Sequence, residues 1–245
     1  MSNKPTRQAS ASAKVRAAQS GGRSSMLWLW VGLGVLIVVV LVVAIAVGRS
    51  SDSGSTAGGR TSPSGGTVVP NGDPTDPTVT VTGDDLVQKP DSPPDSAVGE
   101  TIPTIDGEAF DGSGITITPA DGPQLILVVA HWCPHCRAEV PRIQQWLDDN
   151  GMPSDVKITA IATANDPTAV NYPAGAWLRK EGWSVPTMID DSQQTAARAV
   201  GTSGYPFFVA VDAQGKVVVR GSGELSMDQF EQLIEAARTG SVPTS

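Results

Sequence analysis

Hydrophobic and polar positions divide the chain into four stretches of different character. Between Leu27 and Val47 none of 21 residues is charged. As a helix this run would be about 31 Å long, which matches a bilayer core of roughly 30 Å. From Ser50 to Val98 apolar periodicity is absent. Runs such as Gly58-Gly59, Ser64-Gly65-Gly66 and Asp91-Ser92-Pro93-Pro94 cannot bury enough surface to offset chain entropy, and only Val79 to Val81 suggests a short extended segment.

From Glu100 the pattern becomes globular. Gln124 to Ala130 is a continuous apolar run, as a central strand covered on both faces requires. Arg137 to Asn150 reads as a helix, with Val140, Ile143 and Leu147 on one face and Asn150-Gly151 as its stop. Val156 to Ala162 is a second buried strand, Ala174 to Glu181 a helix, Thr187 to Ile189 a short strand, and Gln193 to Val200 a helix ending at Gly201. Phe207 to Val211 and Lys216 to Arg220 flank a hairpin turn at Asp212-Ala213-Gln214-Gly215. Met227 to Arg238 forms a closing amphipathic helix capped by Ser226. This order predicts an α/β fold: a mixed central sheet with helices on both faces.

Charge sharpens the divisions. Residues 1–25, 26–48, 49–99 and 100–245 carry +5, 0, −4 and −9, for a net charge of −8. The basic flank precedes the apolar run, so the positive-inside bias predicts a cytoplasmic N-terminus at 1–25, a transmembrane anchor at 26–48, and an outside domain. Trp28 and Trp30 at the start of the run suit the interface. A cleaved signal peptide is the competing reading, supported by Ala44-Ile45-Ala46, but the run exceeds the about 7–15 residues of a signal core. Residues 49–99 are expected to be a disordered linker, and 100–240 one folded domain. The acidic outer part and the low aromatic content argue against nucleic acid as a partner.

His131-Trp132-Cys133-Pro134-His135-Cys136 contains both cysteines and both histidines of the chain. It falls where a strand ends and a helix begins, which is where open α/β sheets place their sites. The first helical turn offers unpaired N–H groups and the positive dipole end to an anion. Cys133 is therefore the expected exposed nucleophile, and Cys136, one turn in, the resolving thiol of a Cys133–Cys136 redox disulfide. Pro134 suits the first turn, where a missing N–H costs little. His135 adds a hydrogen-bond donor or a positive charge beside the thiolate, which favours the reduced form and hence a stronger oxidant. An inert structural bridge would close only a few residues and add little stability. His131, Cys133, His135 and Cys136 as a metal site would crowd four ligands into one corner, unlike zinc sites built from two separated pairs. No metal and no cofactor is expected.

The residues also carry a resemblance. Trp132-Cys133-x-x-Cys136 followed by Pro141 resembles the thioredoxin superfamily. Cys136-Arg137-Ala138-Glu139-Val140-Pro141 is similar to its TlpA/ResA-like, membrane-anchored thiol–disulfide oxidoreductases, and Gly204-Tyr205-Pro206-Phe207-Phe208-Val209 resembles the superfamily's cis-proline loop and following strand. The likeness spans roughly residues 100–240 and implies a thioredoxin-like fold. It implies Pro206 as a cis-proline beside the disulfide and Glu139 as a proton acceptor for Cys136 or a substrate contact, against a solvated helix carboxylate. Pro134-His135 departs from the reductive members and is the dipeptide of DsbA-type oxidases, whose helical insertion is not evident here.

These observations together predict an extracytoplasmic enzyme exchanging disulfides with exported protein thiols, fed by a membrane-embedded redox partner. Oxidation or isomerisation is modestly favoured over specific reduction, for example of apocytochrome c thiols. A non-catalytic binding module with the same fold is the rival from another class, and a peroxidase lacks a second reactive cysteine.

Overall fold

The protein's structure is a computed structural model that describes residues 77–242. The basic N-terminus, the apolar run at 26–48 and the linker up to residue 76 lie outside the described residues. Among those described, no helix is long and apolar enough to cross a membrane.

The elements in chain order are strands β1 (Thr80–Thr82), β2 (Thr104–Ala109), β3 (Gly114–Ile117) and β4 (Gln124–Val129), helix α1 (Pro134–Asn150), strand β5 (Lys157–Ala162), helix α2 (Ala174–Lys180), strand β6 (Thr187–Ile189), helix α3 (Thr195–Ala199), strands β7 (Phe207–Val211) and β8 (Val217–Ser222), and helix α4 (Met227–Thr239). A 3-10 turn, Pro119–Asp121, leads into β4. The strands form one mixed sheet in the order β1-β2-β6-β5-β4-β7-β8, with β3 paired to β2. β4 runs parallel to β5, from Gln124 opposite Lys157 to Val129 opposite Ala162, and antiparallel to β7.

Each of the six residues of β4 is buried, and the pleat explains why the run must be apolar throughout. Leu125 and Leu127 pack with Ile143 and Leu147 of α1 and Phe230 and Leu233 of α4. Ile126 and Val128 point the other way, into a layer with Ala196, Ala197 and Ala199 of α3. The expected sheet with helices on both faces is therefore what the chain forms. Ser226 caps α4 as predicted: its hydroxyl accepts from the Gln229 N–H at 3.2 Å, while the Gln229 side chain accepts from the Ser226 N–H at 2.8 Å.

Two expectations need correction, and one hairpin is new. α1 begins at Pro134 rather than Arg137, with the Cys133 carbonyl accepting its first helical bond from the Arg137 N–H at 3.1 Å. The β2–β3 hairpin was not foreseen, because its strands are short and partly polar. The segment expected to be linker as far as residue 99 belongs to the domain from Thr80 onward. β1 pairs with β2, the Leu86 N–H donates to the Ala199 carbonyl, and the Lys89 N–H donates to the Gly201 carbonyl, both at 2.9 Å. Leu86 and Ala97 are buried as single residues, which no periodic pattern signals.

Arg220 holds that segment in place from below. Its guanidinium, buried in the core, donates to Asp95 at 2.9 and 2.6 Å and to the carbonyls of Val87 and Val200 at 2.9 and 3.2 Å. Asp95 is shifted below the ordinary carboxylate range chiefly by the bond from Arg220. Gly201 passes beside this cluster with φ +70, where a Cβ would collide with the Arg220 guanidinium and the Val87 carbonyl oxygen.

Candidate active site

β4 delivers the chain into the motif and α1 carries it away. Cys133 is the residue that caps α1, with extended backbone at φ −67 and ψ 123, so its side chain stands at the positive end of a 17-residue helix. Pro134 occupies the first helical position, and Pro141 lies inside the helix. Both cysteines are free thiols. The Cys133 thiol donates to the Tyr205 carbonyl at 3.4 Å, while the Cys136 sulfur accepts from the Ala130 N–H at 3.4 Å.

Accessibility separates the two thiols. Cys133 is 6 % exposed and Cys136 is 0 %. Cys133 is thus more enclosed than its expected exposed position, because it packs with Val129, Ala130 and Val140 under the edge of Tyr205. It is still the sulfur nearer to solvent. Burial pushes the Cys136 thiol well above the ordinary thiol range, and the Cys133 and Glu139 charges push in the same direction.

Pro206 follows a cis peptide bond from Tyr205, as the resemblance implied. That loop places the Tyr205 carbonyl against Cys133. The Tyr205 ring meets Trp132 edge-on, with centroids 6.1 Å apart, and its hydroxyl donates to Gln194 at 2.8 Å. Trp132 is partly open to solvent and anchored through its ring N–H to the Ala164 carbonyl at 2.8 Å. His131 is buried instead of facing the thiols. Its Nδ1 donates to the Val170 carbonyl at 2.7 Å and its Nε2 accepts from the Asp166 N–H at 3.1 Å.

Glu139 is fully buried, one turn beyond Cys136, so the solvated-carboxylate alternative is set aside. Burial raises its pKa above the ordinary carboxylate range against the opposing pull of Arg142. Arg142 pairs with it across one turn of α1, and the Leu225 N–H donates to its two oxygens at 3.3 and 3.4 Å. His135 lies outside this layer. Its Nδ1 is 2.6 Å from Glu224 Oε1, and Arg142 Nη2 is 3.4 Å from Glu224 Oε2.

Arg142, Glu224 and Tyr205 are the members that sequence reading missed. Arg142 carries a usable signal, since it stands three residues after Glu139 on a predicted helix. Glu224 carries none, being 89 residues from His135. Among the described residues, no group of three or more metal-ligating side chains is assembled.

The model of the family described as Redoxin matches residues 97–234. The chain belongs to the Redoxin family. Comparison with curated proteins gives no match. Among solved structures, a hypothetical protein of Sinorhizobium meliloti is 18% identical with TM-score 0.50, over 60% of this chain and 88% of that one. A thioredoxin family thiol:disulfide interchange protein of Chlorobium tepidum is 22% identical with TM-score 0.45, over 58% and 98%. StoA of Bacillus subtilis is 17% identical with TM-score 0.44, over 51% and 92%. The fold of this Redoxin is thioredoxin-like, a curled mixed sheet flanked by helices. Family membership and the paired thiols at the start of α1 together identify a disulfide oxidoreductase.

Proposed function

We propose that the chain exchanges disulfides with exported protein thiols from an extracytoplasmic position, with Cys133 as nucleophile and Cys136 as resolving thiol. The unequal burial of two thiols at one helix start carries this reading: only Cys133 can meet a polypeptide, and only Cys136 sits behind it. In the oxidising direction a substrate thiolate attacks Cys133 of the disulfide and Cys136 leaves as a thiolate, taking up a proton for which Glu139 is the nearby donor. A second substrate thiolate then attacks the mixed disulfide, releasing Cys133 and leaving the substrate oxidised by two electrons. Run backwards, the same steps reduce a substrate disulfide. Trp132, Pro134, His135 and Pro206 frame the reacting sulfurs.

Cys136→Ser should accumulate mixed disulfides with protein thiols through Cys133, and Cys133→Ser should accumulate none. Non-reducing gels followed by mass spectrometry read both, and the opposite pattern reverses the assignment.

Oxidation or isomerisation is favoured by the Pro134-His135 dipeptide. Reduction is the second reading, supported by the buried Glu139 below Cys136, which suits deprotonation of the resolving thiol. Membrane anchorage rests on the charge asymmetry around residues 26–48, and a membrane-embedded protein is the proposed redox partner. Protease added to intact protoplasts should remove the domain and leave a membrane stub, whereas a domain that survives until lysis places it inside.

A further inference from the structure

The dipeptide between the cysteines is read as oxidising because His135 brings positive charge to the first turn of α1. The structure places a carboxylate on that charge. Glu224, from the connection between β8 and α4, contacts His135 Nδ1 with Oε1 at 2.6 Å, while its Oε2 lies 3.4 Å from Arg142 Nη2. The pair is open to solvent, with side-chain exposures of 64% for His135 and 37% for Glu224. Within the motif His135 has no acidic neighbour, so the opposing charge comes from a distant part of the chain. The charged groups gathered here are His135, Arg142 and Glu139 from α1, and Glu224 from the loop packed against it.

We propose that Glu224 sets the redox poise of the Cys133–Cys136 pair by cancelling the charge of His135, and so holds a DsbA-like dipeptide back from the oxidising strength its sequence implies. The inference rests on the reading of those cysteines as an exchanging pair. A cation favours a thiolate and thereby the reduced protein, and an adjacent anion removes most of that effect. With protonated His135 and ionised Glu224 in contact, Cys133 faces a dipole instead of a net charge. Glu224 is then a residue that acts through His135.

This assignment makes opposite predictions from a merely structural one. If Glu224 only held His135 in place, losing it would act like losing His135. If it cancels charge, the two losses act in opposite directions.

The test is the equilibrium of the full-length protein with glutathione. Protein dithiol plus glutathione disulfide gives protein disulfide plus two glutathione thiols, and the readout is the fraction oxidised. It is measured at pH 6. Glu224→Gln should shift the equilibrium toward reduced protein by about threefold, the size expected of a half-exposed pair. His135→Ala should shift it toward oxidised protein by a similar factor. The double variant, again without net charge, should return to within about twofold of wild type. Raising the salt to 1 M should shrink both single shifts, since the pair is exposed. A shift toward oxidised protein in Glu224→Gln, no shift, or a double variant that stays displaced overturns the assignment. A wild-type chain that never equilibrates with glutathione overturns the exchange reading itself, a different result.

Discussion

Two carboxylates in this domain are both hidden from water and are bonded very differently. Asp190 and Glu139 are both buried, and burial raises both above the ordinary carboxylate range. Asp190 is saturated with partners: it accepts from the N–H groups of Ala196 at 2.8 Å, Ala197 at 3.0 Å and Asp191 at 3.0 Å, and from the Thr163 hydroxyl at 2.6 Å. It fastens the start of α3 to the ends of β5 and β6. Glu139 has one cation and two long bonds from a single N–H, and its charge bears on Cys136. Burial with a displaced acidity constant thus does not single out a working group. What separates the two is whether the bonding capacity is already spent and whether a reacting atom feels the charge.

The largest expected effect would break this distinction at Asp190. Asp190→Ala leaves two N–H groups of α3 and a buried hydroxyl without their acceptor and should cost roughly 3 kcal/mol of stability, read by urea unfolding. The glutathione equilibrium of the protein that still folds should stay close to wild type. The pH dependence has a definite sign. The folded chain holds a proton on Asp190 above the ordinary value of 3.8. The contribution is therefore complete below that value and is lost as pH rises through the folded-state one. The stability gap between wild type and Asp190→Asn should accordingly narrow from acid toward neutral pH, and a widening gap would show that the hydrogen bonds outweigh burial.

Glu139→Gln should do the reverse. Stability should move by less than about 1 kcal/mol, because the amide keeps an acceptor for Arg142 and Leu225. Attack by Cys136 on the mixed disulfide should slow by about tenfold at neutral pH, as expected when a proton acceptor is removed. In single-turnover measurements the variant's rate should climb steadily with pH as the raised Cys136 thiol ionises, without the earlier rise that Glu139 provides. An unchanged rate would make Glu139 a second Asp190.

How much of this was legible follows from how far apart the parts lie in sequence. The strand, the motif and α1 are contiguous, so an apolar run followed by Cys-x-x-Cys located the strand end and helix start where the two thiols sit. Periodicity recovered β4 to α4 with small boundary errors, because those elements bury regular faces. It failed at residues 83–99, where the attachment is one leucine, one alanine, backbone pairing and an ion pair with a partner 125 residues away. It failed likewise at Glu224, a surface glutamate by every local criterion. The resemblance supplied Pro206 and Glu139, but the approach of Glu224 to His135 is long-range packing that no local pattern encodes.

The attachment at residues 80–99 has a mechanical consequence. Tension applied along the chain from the N-terminal side enters the domain at an edge strand. It is then carried by the bonds from Leu86 to Ala199 and Lys89 to Gly201, and by the grip of Arg220 on Asp95. Leu86 and Ala97 belong to the layer that also holds α3, while α1 packs with α4 in the other. The sheet lies between the line of force and the helix that carries the cysteines. Load entering at Thr80 is therefore borne on the α3 face of the sheet, and it reaches the sulfurs through the loop from Gly201 to Tyr205 rather than through α1.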